Sequence, residues 1–206
     1  HLLRKLPPPA FLLAADTNLS LARQAAHRLP ARKKSYRKID LSRPLPAFHL
    51  PPSTTKFFTL FGVLPNLDPL PLLRRLARQM KRGDLLLFSA NLAPGTSGFA
   101  GARRVLSQYH NVPTRHWLEA AVRRFRPKLP RGRLDFGIHP DPKHKTLARI
   151  EARWVTQKRS WIVFSSRRPT TFQVENWIRQ TGLQRIARFL DPCGEEGVWL
   201  VRSAKI

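Results

Sequence analysis

The chain has 206 residues, enough for one well-buried core with a modest insertion, and no apolar run in it approaches the roughly 18 residues that cross a bilayer. Its 38 Lys and Arg against 12 Asp and Glu give a net charge of +26, which brings nucleic acid and other polyanions into scope, although no zinc-finger pattern, RNA-recognition aromatic signature or long basic tail is present. The single cysteine, Cys193, excludes an internal disulfide and fits a reducing compartment.

In chain order, Leu2, Leu3 and Leu6 read as the end of an amphipathic helix stopped by Pro7, Pro8 and Pro9. The opening HLLRKLPPPA has no secretory pattern and no initiating methionine, so the chain is expected to begin inside a longer protein. Phe11 to Ala15 is a short apolar strand with Asp16 at its carboxyl end, followed by a helix over 18–29 with Ala22, Ala25, Ala26 and Leu29 on one face. A carboxylate in that position offers two coplanar oxygens to the hydroxyls of a ribose, and it serves equally well as a helix cap. Ser35 to Ile39 is a second strand candidate, followed by Asp40.

The organising stretch is Phe57 to Ser89. Phe57 to Phe61 is an apolar strand closed by Gly62, and Asp68 with Pro69 opens a helix that carries Leu73, Leu76, Ala77 and Met80 on one face. Gly83 and Asp84 end that helix, and Leu85 to Phe88 is again continuously apolar. Continuous apolar strands around an amphipathic helix describe a βαβ unit in a parallel sheet covered on both faces. Such sheets bind ligands at the carboxyl ends of their strands, here Phe61, Gly62, Asn66 and the residues after Phe88. Asp16, Asp40 and Gly62 are expected on one rim of that sheet.

From Ala93 to Lys158 the Pro, Gly and Arg content breaks the βα rhythm, and Ile186 to Leu190 with Val198 to Val201 reads as a closing hairpin. Cys193 falls in its turn beside the acidic Glu195 and Glu196, and no histidine adjoins it, so a nucleophile is not expected. His139, Asp141 and His144 in HPDPKH have metal-binding residue types, but the interleaved Pro and Lys describe an exposed loop, and no metal is expected. Glu151 is expected to pair with a local arginine. Ser165, Ser166, Arg167 and Arg168 suit either an anionic group or a polar link into a helix capped by Thr170 or Thr171. No GxGxxG or shorter GxG precedes Asp16, so a glycine-rich turn is expected upstream of His1, and this stretch then carries only part of a cofactor site.

The segments FLLAADTNLSLARQAAHRL, IDLSRPLP, FTLFGVLPNLDP, GDLLLFSANL, RRVLSQYHN, ARIEARWV and RRPTTFQVENWIRQTGL, in that order, resemble the S-adenosylmethionine-dependent methyltransferases of the histidine Nα-methyltransferase family, which act in ergothioneine synthesis. The resemblance implies an α/β fold. A Rossmann-like class I methyltransferase sheet, lacking its first strand and Gly-rich turn, is formed by residues 1–92 and 159–206, with an inserted α+β substrate-binding subdomain over 93–158. It implies S-adenosylmethionine as cofactor, with Asp16 on the ribose, Asp40 and Leu41 at the adenine and Gly62 along the cofactor's path. Asn66 and Tyr109 match the family's residues for the carboxylate of the substrate amino acid, although Pro65 stands where relatives usually carry glycine.

Departures fall where the substrate side chain is read. Phe164 and Ser166 stand where imidazole-recognising members carry a glutamate and a serine, and Ala152 where they carry a methionine. A phenylalanine accepts no hydrogen bond from an imidazole N–H, which costs a buried imidazole about 1–3 kcal/mol. The expected substrate is therefore another small amine or amino acid rather than histidine. Methyl transfer is an in-line displacement governed by alignment of a neutral amine, and no catalytic residue is assigned; His110, beside Tyr109, reads as an exposed histidine. The expected enzyme is a cytoplasmic N-methyltransferase with no membrane contact. The alternative is a non-catalytic Rossmann-like module that binds RNA or another polyanion through its basic surface.

Overall fold

The structure, a computed structural model, describes residues 8–48 and 53–204. The helix end expected at Leu2 to Leu6 lies outside the described residues. The chain divides into two compact units, residues 1–48 and 49–206.

In the first unit, β1 (Phe11–Asp16), α1 (Leu19–Arg28) and β2 (Lys33–Lys38) form one βαβ turn. The strands are parallel, in register from Phe11 opposite Lys33 to Asp16 opposite Lys38. Asn18 caps α1, its side chain accepting the Ser20 amide at 3.0 Å, and the helix buries the small residues Ala22 and Ala26. The second strand starts earlier than the apolar pattern implies. The ladder extends through Lys33 and Lys34, and the buried Ile39 follows it, its amide still bonded to the Asp16 carbonyl at 3.0 Å.

The second unit holds two sheets. β3 (Phe57–Leu60), β4 (Leu85–Asn91), β9 (Glu196–Ser203) and β8 (Leu183–Leu190) run in the spatial order β3-β4-β9-β8, the first pair parallel and the rest antiparallel. β5 (Arg133–Pro140), β6 (Ala148–Val155) and β7 (Ser160–Arg168) form an antiparallel three-stranded sheet. The helices are α2 (Pro69–Gln79), α3 (Gly98–Leu106), α4 (Val112–Phe125) and α5 (Thr171–Gln180). The expected apolar face of α2 is buried at Leu73, Leu76 and Ala77, and at Met80 directly after the helix. The core of the larger sheet is centred on Phe88 and Trp199, both fully buried and stacked with ring centroids 5.7 Å apart.

Two features differ from the reading of the sequence. Asp16, Asp40 and Gly62 were expected on one rim of one sheet, but among the described residues β1 pairs with β2 in a two-stranded sheet, and β3 pairs with β4 in another. The other feature is β7, which pairs with β6 rather than with the larger sheet, so the antiparallel sheet continues through Arg168 instead of ending near Lys158. The end of β7 then meets the end of β4, where the Ala93 amide donates to the Pro169 carbonyl at 2.8 Å.

Candidate functional site

In the first unit both expected cofactor aspartates follow parallel strands at their carboxyl ends. Asp16 is the last residue of β1 and is half-buried; its Oδ1 accepts the Asn18 amide at 2.7 Å and the Thr17 hydroxyl at 3.3 Å. Asn18, not Asp16, is the helix cap. The Asp40 carboxylate is more heavily committed: Oδ1 takes the Ser42 amide at 2.9 Å and hydroxyl at 2.6 Å, and Oδ2 lies 3.3 Å from Nε of Arg43. This closes a turn of the kind aspartate favours by bonding two residues ahead. Leu41 is half-buried in that turn.

In the second unit, Gly62 has φ +67 directly after β3, a conformation that side chains rarely adopt. Its amide donates to the hydroxyl of the buried Ser89 on β4 at 3.1 Å, tying the two strand ends together. Asn66 ends a short 3-10 turn (Leu64–Asn66) and donates from Nδ2 to the Gly62 carbonyl at 3.3 Å. Asp68 holds the N-cap position of α2 but makes no capping bond. It faces Lys143 Nζ at 3.2 Å and His144 Nε2 at 3.3 Å instead.

The remaining expected substrate residues gather on one face of the antiparallel sheet. Alternation along β7 puts Phe164, Ser166 and Arg168 on a common side, and Ala152 on β6 stands opposite Phe164. Ala152 is fully buried, and Tyr109 and Phe164 pack on its cluster, their rings 5.5 Å apart. Above them a cavity of about 330 Å³ is lined by Gln108, Tyr109, Thr114, Trp117, Leu118, Phe164 and Arg168. Tyr109 and Phe164 thus share a pocket, Ala152 lies beneath it, Ser166 is buried between Phe164 and Arg168, and Asn66 is not among its lining residues.

The α4 residues of this pocket, Thr114, Trp117 and Leu118, were missed because they lie in the basic stretch between Arg103 and Arg133, where no site signal stands out. Arg168 was visible only as one of a pair, and strand alternation separates the pair. Arg167 reaches Asp141, Nε to Oδ2 2.7 Å, while Arg168 turns inward and is 6% exposed.

Polar residues elsewhere are accounted for locally. Asp141 is fully buried. Burial pushes its carboxyl up, but the backbone N–H groups of Lys143 and His144 and the charge and hydrogen bond of Arg167 outweigh this and hold it below the usual carboxylate value. Glu151, also fully buried, pairs with Arg149 and with Arg153, whose Nη2 lies 2.8 Å away. His110 is exposed, its ring 5.4 Å from that of Phe136. Cys193 is exposed in the turn between β8 and β9.

No protein-family model matches the chain, and no curated protein sequence matches it. Solved structures do. An S-adenosylmethionine-dependent methyltransferase from Methanosarcina mazei is similar with a TM-score of 0.51 at 14% identity, over 94% of this chain and 82% of that one. One from Clostridium acetobutylicum gives a TM-score of 0.49 at 11% identity, over 99% and 78%. At 14% identity the likeness to the Methanosarcina structure is one of fold alone, the Rossmann-like α/β fold of class I methyltransferases.

Proposed function

We propose that this chain is the catalytic region of an S-adenosylmethionine-dependent methyltransferase that N-methylates a small amine or amino acid other than histidine. The observation that carries the reading is Asp16: a half-buried carboxylate at the carboxyl end of a parallel strand. Its Oδ1 is held by the Asn18 amide, and no hydrogen bond from the described residues occupies Oδ2. A carboxylate oriented in this way fits the paired hydroxyls of a ribose. Asp40 fits less well through its side chain, since Ser42 and Arg43 already engage both oxygens. Leu41 supplies an apolar contact in the same turn.

When bound, the cofactor supplies an electrophilic methyl group on a sulfonium. The chain's own contribution is to orient the acceptor and keep water from it. Tyr109 and Phe164 offer an aromatic wall, and Ala152 beneath them leaves room that a longer side chain would fill. Loss of the amine proton is assigned to solvent, because His110, the nearest candidate base in sequence, does not line the pocket.

Calorimetry of the chain with S-adenosylhomocysteine tests this. Binding that Asp16→Ala weakens at least tenfold, with the melting temperature unchanged, is the expected result. Absence of binding, or binding indifferent to Asp16→Ala, overturns the reading.

A second reading is supported by the surface from the last turn of α4 to the start of β5. Arg123, Arg124, Phe125, Arg126, Lys128, Arg131 and Arg133 are all exposed, and Arg124 lies over the ring of Phe125 at 5.6 Å. Basic residues interleaved with an exposed aromatic suit a single-stranded polyanion. Strongly salt-dependent binding of an RNA oligomer, lost on Phe125→Ala, would favour this reading if cofactor binding is absent.

A further inference from the structure

Among the described residues, Arg168 is a buried cation with no carboxylate partner. Its neighbours in the sheet each have one: Arg167 takes Asp141, and Arg149 and Arg153 share Glu151. Around Arg168 the described residues provide only neutral partners. Nη1 donates to the Leu92 carbonyl at 3.3 Å, Nη2 donates to the Tyr109 hydroxyl, and Cζ lies 5.4 Å from the centre of the Tyr109 ring. Nε is buried with no hydrogen-bond partner. Glu195 takes the side-chain amide of Gln108, not Arg168. A buried charge left without a counter-charge is strongly unfavourable, and two neutral contacts offset only part of that cost.

The pocket explains what the arrangement is for. Arg168 and Tyr109 both line the cavity of about 330 Å³, whose lining includes no acidic residue. The Tyr109 oxygen accepts from Arg168, so its own proton is free to be donated to a second atom. A guanidinium and a phenolic O–H side by side match the two oxygens of a carboxylate. The rest of the lining, Trp117, Leu118 and Phe164, is flat and apolar, which matches an aromatic body.

We propose that Arg168, with Tyr109, anchors the carboxylate of a small aromatic acid whose ring lies against Trp117 and Phe164. The proposal rests on this pocket being the acceptor site of the methyltransferase proposed above, and it assigns the anchoring to a cation rather than to Asn66, whose amide is engaged by the Gly62 carbonyl. Phe164 and Arg168 are two turns of the pleat apart on one face of β7, so a single strand would supply both the ring wall and the charge.

The test is binding of phenylacetate against phenylacetamide to the 206-residue chain at neutral pH and fixed ionic strength, without cofactor. Phenylacetate is expected to bind at least tenfold more tightly than the amide. Arg168→Met should remove that preference, while the exposed Arg78→Met, which removes the same net charge elsewhere, should leave it intact. Trp117→Ala should weaken acid and amide alike. If Arg168→Met does not fold, the discrimination by the unaltered chain and the Trp117→Ala result decide the matter. Equal affinity for acid and amide, or a preference that survives Arg168→Met in a folded protein, overturns the proposal. Because Asp16 and the cofactor play no part in this measurement, its failure is separable from failure of the methyltransferase reading.

Discussion

Nε of Arg167 lies 2.7 Å from Oδ2 of Asp141, with the carboxylate fully buried and the guanidinium nearly so, and this contact pins the end of β7 to the loop that follows β5. Its energetic consequence is pH-dependent. The folded-state pKa of Asp141 is lowered, so the folded form binds a proton less readily than the unfolded chain, whose aspartates titrate near about 3.9. The stabilisation is therefore complete above that value and is lost as pH falls through the lower folded value. Asp141→Asn should destabilise by about 3 kcal/mol at pH 6, as expected when one partner of a buried pair is removed. In urea melts the gap between the two proteins should shrink below pH 4. A gap that widens there would refute the assignment.

Asp84, fully buried like Asp141 and Glu151, is predicted to be purely structural. It accepts the backbone N–H groups of Lys56 at 2.8 Å and Lys81 at 2.9 Å and pairs with Lys56 Nζ at 3.2 Å. Asp84→Ala removes the acceptor of the Lys56 and Lys81 amides and the counter-charge of Lys56, whose Nζ keeps the Gln79 carbonyl, beside β3 and β4. Chemical denaturation should show a loss of about 3 kcal/mol. Any cofactor affinity should be unaltered where the variant remains folded.

Gly101 marks the close approach of α3 to the chain leaving β4. A methyl group there would stand 2.4 Å from the Pro94 carbonyl oxygen and 2.7 Å from the Ala93 carbonyl carbon, both backbone atoms. Gly101→Ala should lower stability by about 1–3 kcal/mol despite the better helix propensity of alanine. The same substitution at Gly98, where the nearest atom would be 3.5 Å away, should be close to neutral or stabilising. Thermal melts of the two variants give the comparison directly; equal effects would count against the packing described.

For the methyltransferase proposed above, substrate preference is expected to follow from the pocket wall. Phe164 accepts no hydrogen bond, so histidine should compete poorly with amino acids bearing apolar or aromatic side chains, by a factor corresponding to about 1–3 kcal/mol. Competitive methylation across the amino acids measures this, and a preference for histidine would contradict it. Phe164→Glu places a carboxylate among the pocket residues that include Arg168, and it should abolish binding of any acid there.

Much of the architecture was readable because it is written in local patterns. The apolar runs Phe11 to Ala15, Phe57 to Phe61 and Leu85 to Phe88 specify strands, the spacing of Leu73, Leu76, Ala77 and Met80 specifies the buried face of α2, and the capping chemistry near Thr170 specifies the start of α5. There Thr170 and Gln173 satisfy each other's backbone amides at 3.3 and 2.9 Å. These signals depend on residues a few positions apart, which is the range over which sequence pattern reports structure.

The pairing of strands distant in sequence was not readable in that way. Whether β7 joins the larger sheet or the antiparallel one, and whether β1 and β3 share a ladder, depends on which hydrogen-bonding edges meet, and residue pattern is silent on that. Nor did Arg167 and Arg168 differ as letters; the pleat sends one to Asp141 and turns the other into a pocket with no counter-charge. Local pattern sufficed for the elements, their buried faces and the basic surface. Which charged groups are satisfied emerges only in the fold, because satisfaction is a property of atoms brought together from distant parts of the chain.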